Sequence, residues 1–326
     1  MNFQQLRSVR EAVRRGFNLT EVAEALFTSQ PGVSRQIREL EEELGVDIFE
    51  RNGKRLTGLT DPGKHILEIV ERLLLDAENL RSAGRDFASR SEGRLVVATT
   101  HTQARYALPS VVESFAAEFP KVRLRLQQSP PEHIAELLIE GEADVGIATE
   151  SLHAYPELIA FPAYRWSHVI VAPPGHPVLA TPAVALEDLA RYPLITYDPG
   201  FTGRSHIDAA FTAASLVPEY VLTALDADVI KTYVERGLGV GIVAAMAFDP
   251  ARDLLLRARD ASHLFETNLT RVAVRKGAYL RGYVYRFIAA FAPHLDRASV
   301  ERALAGGAIG RDEFEVPVLP GLRRAA

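Results

Sequence analysis

Residues 19–38 run LTEVAEALFTSQPGVSRQIR, a pattern of two short amphipathic helices joined by a tight turn. The first covers residues 20–26 and the second 32–44. Between them, Ser29 offers a hydroxyl for the cap, Pro31 suits a first helical turn, and Gly45 suits a left-handed close. In a helix-turn-helix the second helix enters the DNA major groove, where Arg and Gln read guanine and adenine edges. Ser34, Arg35 and Gln36 occupy that early position. Further on, Phe49-Glu50-Arg51-Asn52-Gly53-Lys54-Arg55-Leu56-Thr57 sets Asn-Gly, a type I′ turn signal, between two extended pieces. This reads as a wing carrying Arg51, Lys54 and Arg55 to phosphates or the minor groove. The competing reading is a protein-docking bundle with Arg35 and Gln36 solvated. Residues 1–60 hold nine basic and nine acidic side chains, so their charge does not choose between the two.

Asp61 and Pro62 open a long helix in which Ile66, Val70, Leu73, Ala77, Leu80 and Gly84 recur at spacings of four and three, a heptad seam fit for dimerisation. From Arg94 the pattern changes to alternating strands and helices, with strands at 95–98, 122–127 and 143–148 and a helix at 131–140. A second set begins near residue 165. The expected organisation is a winged helix-turn-helix (1–59), a linker and dimerisation helix (60–89), and an α/β effector domain (90–326). That domain comprises two Rossmann-like lobes, as in periplasmic binding proteins, lobe I at about 93–163 and 268–295 and lobe II at about 164–267. Two to three folded units suit 326 residues of ordinary composition, 47% hydrophobic and 24% charged.

The net charge of −5 advertises no general affinity for nucleic acid, and the absence of cysteine excludes disulfides, thiolate metal sites and thiol redox sensing. No signal-peptide pattern opens the chain, and its longest apolar run, residues 238–248, is too short for a bilayer, so a cytoplasmic protein without a membrane partner is expected. Gly58 to Lys64 has phosphate-loop spacing, but His65 stands where Ser or Thr is required. Gly237-Leu-Gly239-Val-Gly241 follows a helix and precedes a strand, the reverse of a dinucleotide loop. The nine histidines show no metal-binding pair, and no nucleophile elbow occurs. No catalytic residue, metal site or cofactor is therefore assigned.

Ligand-binding chemistry is better marked. Thr99, Thr100, Thr102 and Gln103 follow the first strand of the α/β region at the end where open α/β sheets bind ligands, and the next helix offers its N-terminus there. Thr149 follows a second strand, and Thr202 lies between Gly200 and Gly203 before a helix near Arg204. Each threonine alone could be a helix cap; together they suit a small oxyanion.

With Ser29-Gln30-Pro31, Ser34-Arg35-Gln36-Ile37, Leu40-Glu41-x-Glu43-Leu44-Gly45 and Phe49-x-Arg51, the N-terminal segment resembles the DNA-binding head of LysR-type transcriptional regulators. Thr99 to Pro109, Ile147-Ala148-Thr149-Glu150 and Gly200-Phe201-Thr202-Gly203-Arg204 resemble its CysB-like subgroup. The resemblance implies a homotetrameric activator of sulfur-assimilation or sulfonate-use genes that binds double-stranded promoter DNA and works with RNA polymerase. It adds Gln30 to the DNA-contacting set. It also implies that Thr100, Thr102, Gln103, Thr149 and Thr202 bind the effector, which is sulfate, thiosulfate, or O- or N-acetylserine. A small-anion-binding protein or an enzyme on the same lobes is the alternative. Residues 309–326 match no pattern.

Overall fold

Asn2 starts the first helix, α1 (Phe3–Arg14), through a capping box: its side chain accepts from the Gln4 and Gln5 amides while Gln5 Oε1 accepts from Asn2 N. Asn18 caps α2 (Leu19–Ala25). Ser29 Oγ accepts from Gly32 N at 3.3 Å to open α3 (Gln30–Leu44), which Gly45 ends at φ 71°. An antiparallel hairpin follows, β1 (Phe49–Asn52) with β2 (Arg55–Leu59). Its central pair is Gly53-Lys54 rather than Asn52-Gly53. Asn52 and Arg55 are opposite one another, and of the central pair only Gly53 has positive φ, the pattern of a II′ turn. The next helix, α4 (Asp61–Ala88), is capped by Thr60, whose hydroxyl accepts from Gly63 N at 2.9 Å, and not by Asp61.

This structure is a computed structural model that describes residues 1–89, 91–180, 183–306 and 315–319, in two compact units, Met1–Phe87 and Ala88–Ala326. The core of the first is built from Leu6, Val9, Val22, Val33, Ile37, Leu40, Ile48, Phe49 and Leu56, and it takes in Val70 and Leu74 from α4. The expected heptad seam is thereby divided. Val70 is buried within its own unit, whereas Ile69, Leu73, Leu80 and Phe87 form the exposed apolar line, at spacings of four and seven. Packing on the head claims the face that periodicity alone had given to a partner.

In the second unit, β3 (Glu92–Thr99) leads through a π-helical turn (Gln103–Ala107) into α5 (Pro109–Glu118). Then come β4 (Lys121–Gln128), α6 (Pro131–Glu140), β5 (Val145–Ala148) and β6 (Leu158–Trp166). The chain crosses to β7 (His168–Ala172), α7 (Leu186–Leu189), β8 (Leu194–Tyr197), α8 (Arg204–Ala213), β9 (Tyr220–Ala224), α9 (Ala227–Glu235), β10 (Val240–Ala244) and β11 (Arg257–Asp260). It returns as β12 (Asn268–Arg275), α10 (Gly282–Phe291) and α11 (Arg297–Leu304). Two five-stranded sheets result, in the orders β4-β3-β5-β12-β6 and β11-β7-β10-β8-β9. They are mixed, not parallel throughout. β12 runs antiparallel to β5 and β6, and β7 antiparallel to β10 and β11, because these strands carry the chain between lobes. The loops that follow β3, β5 and β8 meet between the lobes, Thr102 with Thr202 and Glu150 with the Gly203 amide.

Candidate functional site

In the first unit the exposed start of α3 presents Gln30 and Arg35, with Ser34 half-buried beside them. Arg35 pairs along the helix with Glu39 at 2.8 Å and keeps 80% of its side chain exposed. Gln30, Thr20, Lys54 and Arg55 line one depression of about 370 Å³ between the helices and the wing. That basic, hydroxylated surface is suited to a phosphate backbone. Two expected contacts are corrected. Gln36 is half-buried and its side-chain carbonyl accepts from Ser8 Oγ at 2.5 Å, so the acceptor that bidentate adenine reading uses is already engaged within the unit. Arg51 turns inward, with Nη2 donating to Glu41 Oε2 at 2.5 Å and Nη1 to Oε1 at 3.3 Å. Glu41 is 6% exposed and also accepts the Ile48 and Phe49 amides; a carboxylate so placed needs a cation, and Arg51 supplies it.

The strand ends of the second unit carry a polar cluster. Thr100, Thr102, Gln103 and Thr202 are all buried, and Thr149 is half-buried. Thr102 Oγ1 from one lobe meets Thr202 Oγ1 from the other at 3.4 Å. Thr270 Oγ1 on β12 gathers Trp166 Nε1 (3.1 Å), Gln103 Nε2 (3.3 Å) and Thr149 Oγ1 (3.3 Å). Tyr164 donates to Gln103 Oε1. Gln103 therefore has one of its two N–H groups spent inside its own lobe. Thr202 is β-branched yet left-handed at φ 44°, flanked by Gly200 at 84° and Gly203 at 70°. Such an outlier persists only where the surroundings impose it. Gly203 is required for a second reason: a Cβ there would overlap the Asn268 side-chain amide.

His168, wholly buried, stands beneath this loop, and burial pushes its imidazole down to about 4. It is neutral at physiological pH, so Nε2–H donates to the Thr202 carbonyl at 3.2 Å and Nδ1 accepts from Asn268 Nδ2 at 3.4 Å. Glu150, directly after Thr149, accepts the Gly203 amide from across the lobes, and burial raises its carboxyl to about 7. The Arg204 guanidinium is used elsewhere, on Asp208 at 2.8 Å and the Tyr197 carbonyl at 2.5 Å. The Arg204 guanidinium also lies over the Tyr220 ring, 4.1 Å from its centroid. A possible metal cluster of His101, Asp226 and Asp228 is already committed. Asp228 accepts from Tyr106 at 2.7 Å and faces Arg105 and Lys231, while Asp226 caps α9.

Sequence reasoning did not find Glu150, Tyr164, Trp166, His168, Asn268 or Thr270. Glu150 had a signal, since it extends the strand end that carries Thr149. Asn268 and Thr270 had none, because they sit on an antiparallel strand distant in sequence from the motifs they complete.

Residues 3–64 match the bacterial regulatory helix-turn-helix of the lysR family, and residues 88–296 the LysR substrate binding domain. The chain belongs to the LysR family. It is 62% identical over 300 residues to the HTH-type transcriptional regulator SsuR of Burkholderia cenocepacia, covering 92% of this chain and 97% of that one. To the CysB regulator of the same organism it is 54% identical over 308 residues, covering 94% and 98%. Among solved structures, the cofactor-binding domain of the Cbl transcriptional regulator superposes with a TM-score of 0.64 at 45% identity, covering 66% of this chain and 94% of that domain. The chain is thus a DNA-binding transcriptional regulator of the CysB-like group and not an enzyme. Among the described residues no helix is long and apolar enough to cross a membrane.

Proposed function

We propose that this LysR-type regulator, from the group that governs sulfur and sulfonate assimilation, is switched by a small anionic effector held between its two lobes. The effector is sulfate, thiosulfate, or O- or N-acetylserine. The observation that carries the reading is the pair Thr102 and Thr202, buried hydroxyls from opposite lobes 3.4 Å apart, with Thr100, Thr149 and Gln103 around them. Hydroxyls and helix-end amides suit an anion without a cationic partner, each bond to a charged acceptor contributing about 1.5–3 kcal/mol. An effector touching both lobes changes their relative population of closed and open states, which is how a ligand biases a distant DNA contact. The regulator acts in the cytoplasm as a homotetramer on double-stranded promoter DNA, through Gln30, Ser34, Arg35, Lys54 and Arg55, and in concert with RNA polymerase.

Calorimetry of the full chain tests the effector site. Thr102→Val keeps the side-chain volume and removes one donor, so sulfate affinity should fall about ten- to a hundredfold with effector-free promoter affinity near wild type. Sulfate affinity unaltered in both Thr102→Val and Thr149→Val removes the cleft as the site.

A further inference from the structure

With the Gln36 carbonyl engaged by Ser8, the reading of bases by α3 falls to other side chains. The helix buries Val33, Ile37, Leu40 and Glu41. At 3.6 residues per turn, Pro31, Arg35, Arg38 and Glu42 fall within about 60° of one another on the far side, and all four are exposed. Pro31 and the Glu42 carboxylate donate nothing, so the side-chain donors of this ridge are Arg35 and Arg38. Arg35 is tied to Glu39 at 2.8 Å. Arg38, three residues on, has no ion pair or side-chain hydrogen bond among the described residues.

The surroundings of Arg38 decide what it can touch. It lines a depression of about 440 Å³ with Glu41, Glu42, Asp47 and Arg51. Glu41 pairs with Arg51, and Asp47 reaches the same guanidinium at 3.7 Å. Three carboxylates, Glu41, Glu42 and Asp47, thus share the depression with two guanidiniums. That surplus repels a phosphate, whereas a guanine edge offers two acceptors and carries no net charge. The depression at Thr20, Gln30, Lys54 and Arg55 holds no carboxylate and is the one suited to the backbone. We propose that Arg38 is a base-reading residue of this regulator, its guanidinium taking the O6 and N7 edge of a guanine in the major groove. The proposal rests on α3 being the helix that enters that groove, and it adds a specificity-determining residue to those named above. The planar fork of arginine matches the two guanine acceptors, which a lysine ammonium does not.

Fluorescence anisotropy of the full-length protein tests this on two duplexes, one that wild type selects from a random pool and one of scrambled sequence. Arg38→Ala should weaken binding of the selected duplex about ten- to a hundredfold and of the scrambled one by less than about threefold. Arg38→Lys keeps the charge without the fork, so the scrambled duplex should bind as to wild type while the selected one still loses about tenfold. Both variants change an exposed side chain, and thermal unfolding of the DNA-binding unit should match wild type. Guanines of the selected duplex are then replaced singly by 7-deazaguanine, which lacks the N7 acceptor. At one guanine in each half-site the replacement should weaken wild type and leave Arg38→Ala indifferent. Equal losses on both duplexes, full recovery in Arg38→Lys, or a selected duplex in which every guanine replacement affects wild type and Arg38→Ala alike overturns the proposal. Arg35→Ala separates the proposal from its premise. Lost selectivity in that variant, with Arg38→Ala unaltered, rejects Arg38 alone, while unaltered selectivity in both rejects α3 as the reading helix and Arg38 with it.

Discussion

Arg51 lies in the wing, yet its guanidinium is turned back onto Glu41, so its loss should be felt as instability and not as lost phosphate contact. Arg51→Ala leaves Glu41 buried with two backbone donors and no cation, which should cost the DNA-binding unit about 2 kcal/mol in denaturant unfolding. Lys54→Ala should leave stability unchanged and reduce the salt slope of DNA binding by about one. An Arg51→Ala variant of unchanged stability and weakened DNA binding reverses the assignment. At His168 the sign of a pH effect can be worked out. Its folded-state pKa of about 4 lies below the ordinary 6.5, so the unfolded chain binds more protons between these values. Stability is complete above the upper value and is lost as pH falls toward the lower one, by up to about 3 kcal/mol. Glu150, raised from 4.5 to about 7, works in the opposite sense, losing stability as pH rises through that window. Comparing wild type with His168→Gln cancels the Glu150 contribution. The variant should show a flatter acid decline of denaturation midpoint, and parallel curves rule the histidine out.

At the scale of elements, α4 serves two neighbours with two faces. Gly63 lies where a Cβ would overlap the Ile48 carbonyl, so Gly63→Ala must shift α4 against the hairpin, at a cost of about 2 kcal/mol measured by thermal unfolding. The same glycine, part of a false phosphate-loop spacing, is thus a packing glycine. Val70 and Leu73 divide the helix: Val70→Glu buries a charge in the head and should unfold it, whereas Leu73→Glu should leave the head folded and weaken self-association in analytical ultracentrifugation. An unaltered oligomer in Leu73→Glu takes that line of residues out of assembly. Elements whose local chemistry agrees with their packing were legible from sequence. α3 carried Ser29, Pro31 and Gly45, and α6 matched its expected bounds. β6 and β11 were not. β6 contains Pro162 and is an edge strand, where a missing N–H is tolerated, and β11 reads RARD, an edge strand with charged side chains. Edge strands carry weak periodicity because one long side lacks a partner strand, although Arg165 of β6 bonds to Pro317 and Leu319.

Over the whole molecule, the threonine loops were readable because each follows a strand, while the residues that complete them arrive on β6, β7 and β12, the segments by which the chain changes lobe. Trp166 and His168 bracket the first crossing, and Asn268 begins the strand that ends the second. A ligand in the cluster therefore touches both crossings, and its binding energy goes to the second unit, which contains every residue of the site, and not to the first. This sets the last expectation. In calorimetric unfolding of the full chain, an anion at about a hundred times its Kd should stabilise the transition of the effector unit by about 2.7 kcal/mol, while the transition of the DNA-binding unit stays in place. Thr102→Val should abolish that shift at the same anion concentration, and promoter DNA should do the converse, raising the transition of residues 1–87. If the anion moves both transitions together in wild type and in Thr102→Val alike, the stabilisation is a general salt effect and the cleft is not its source.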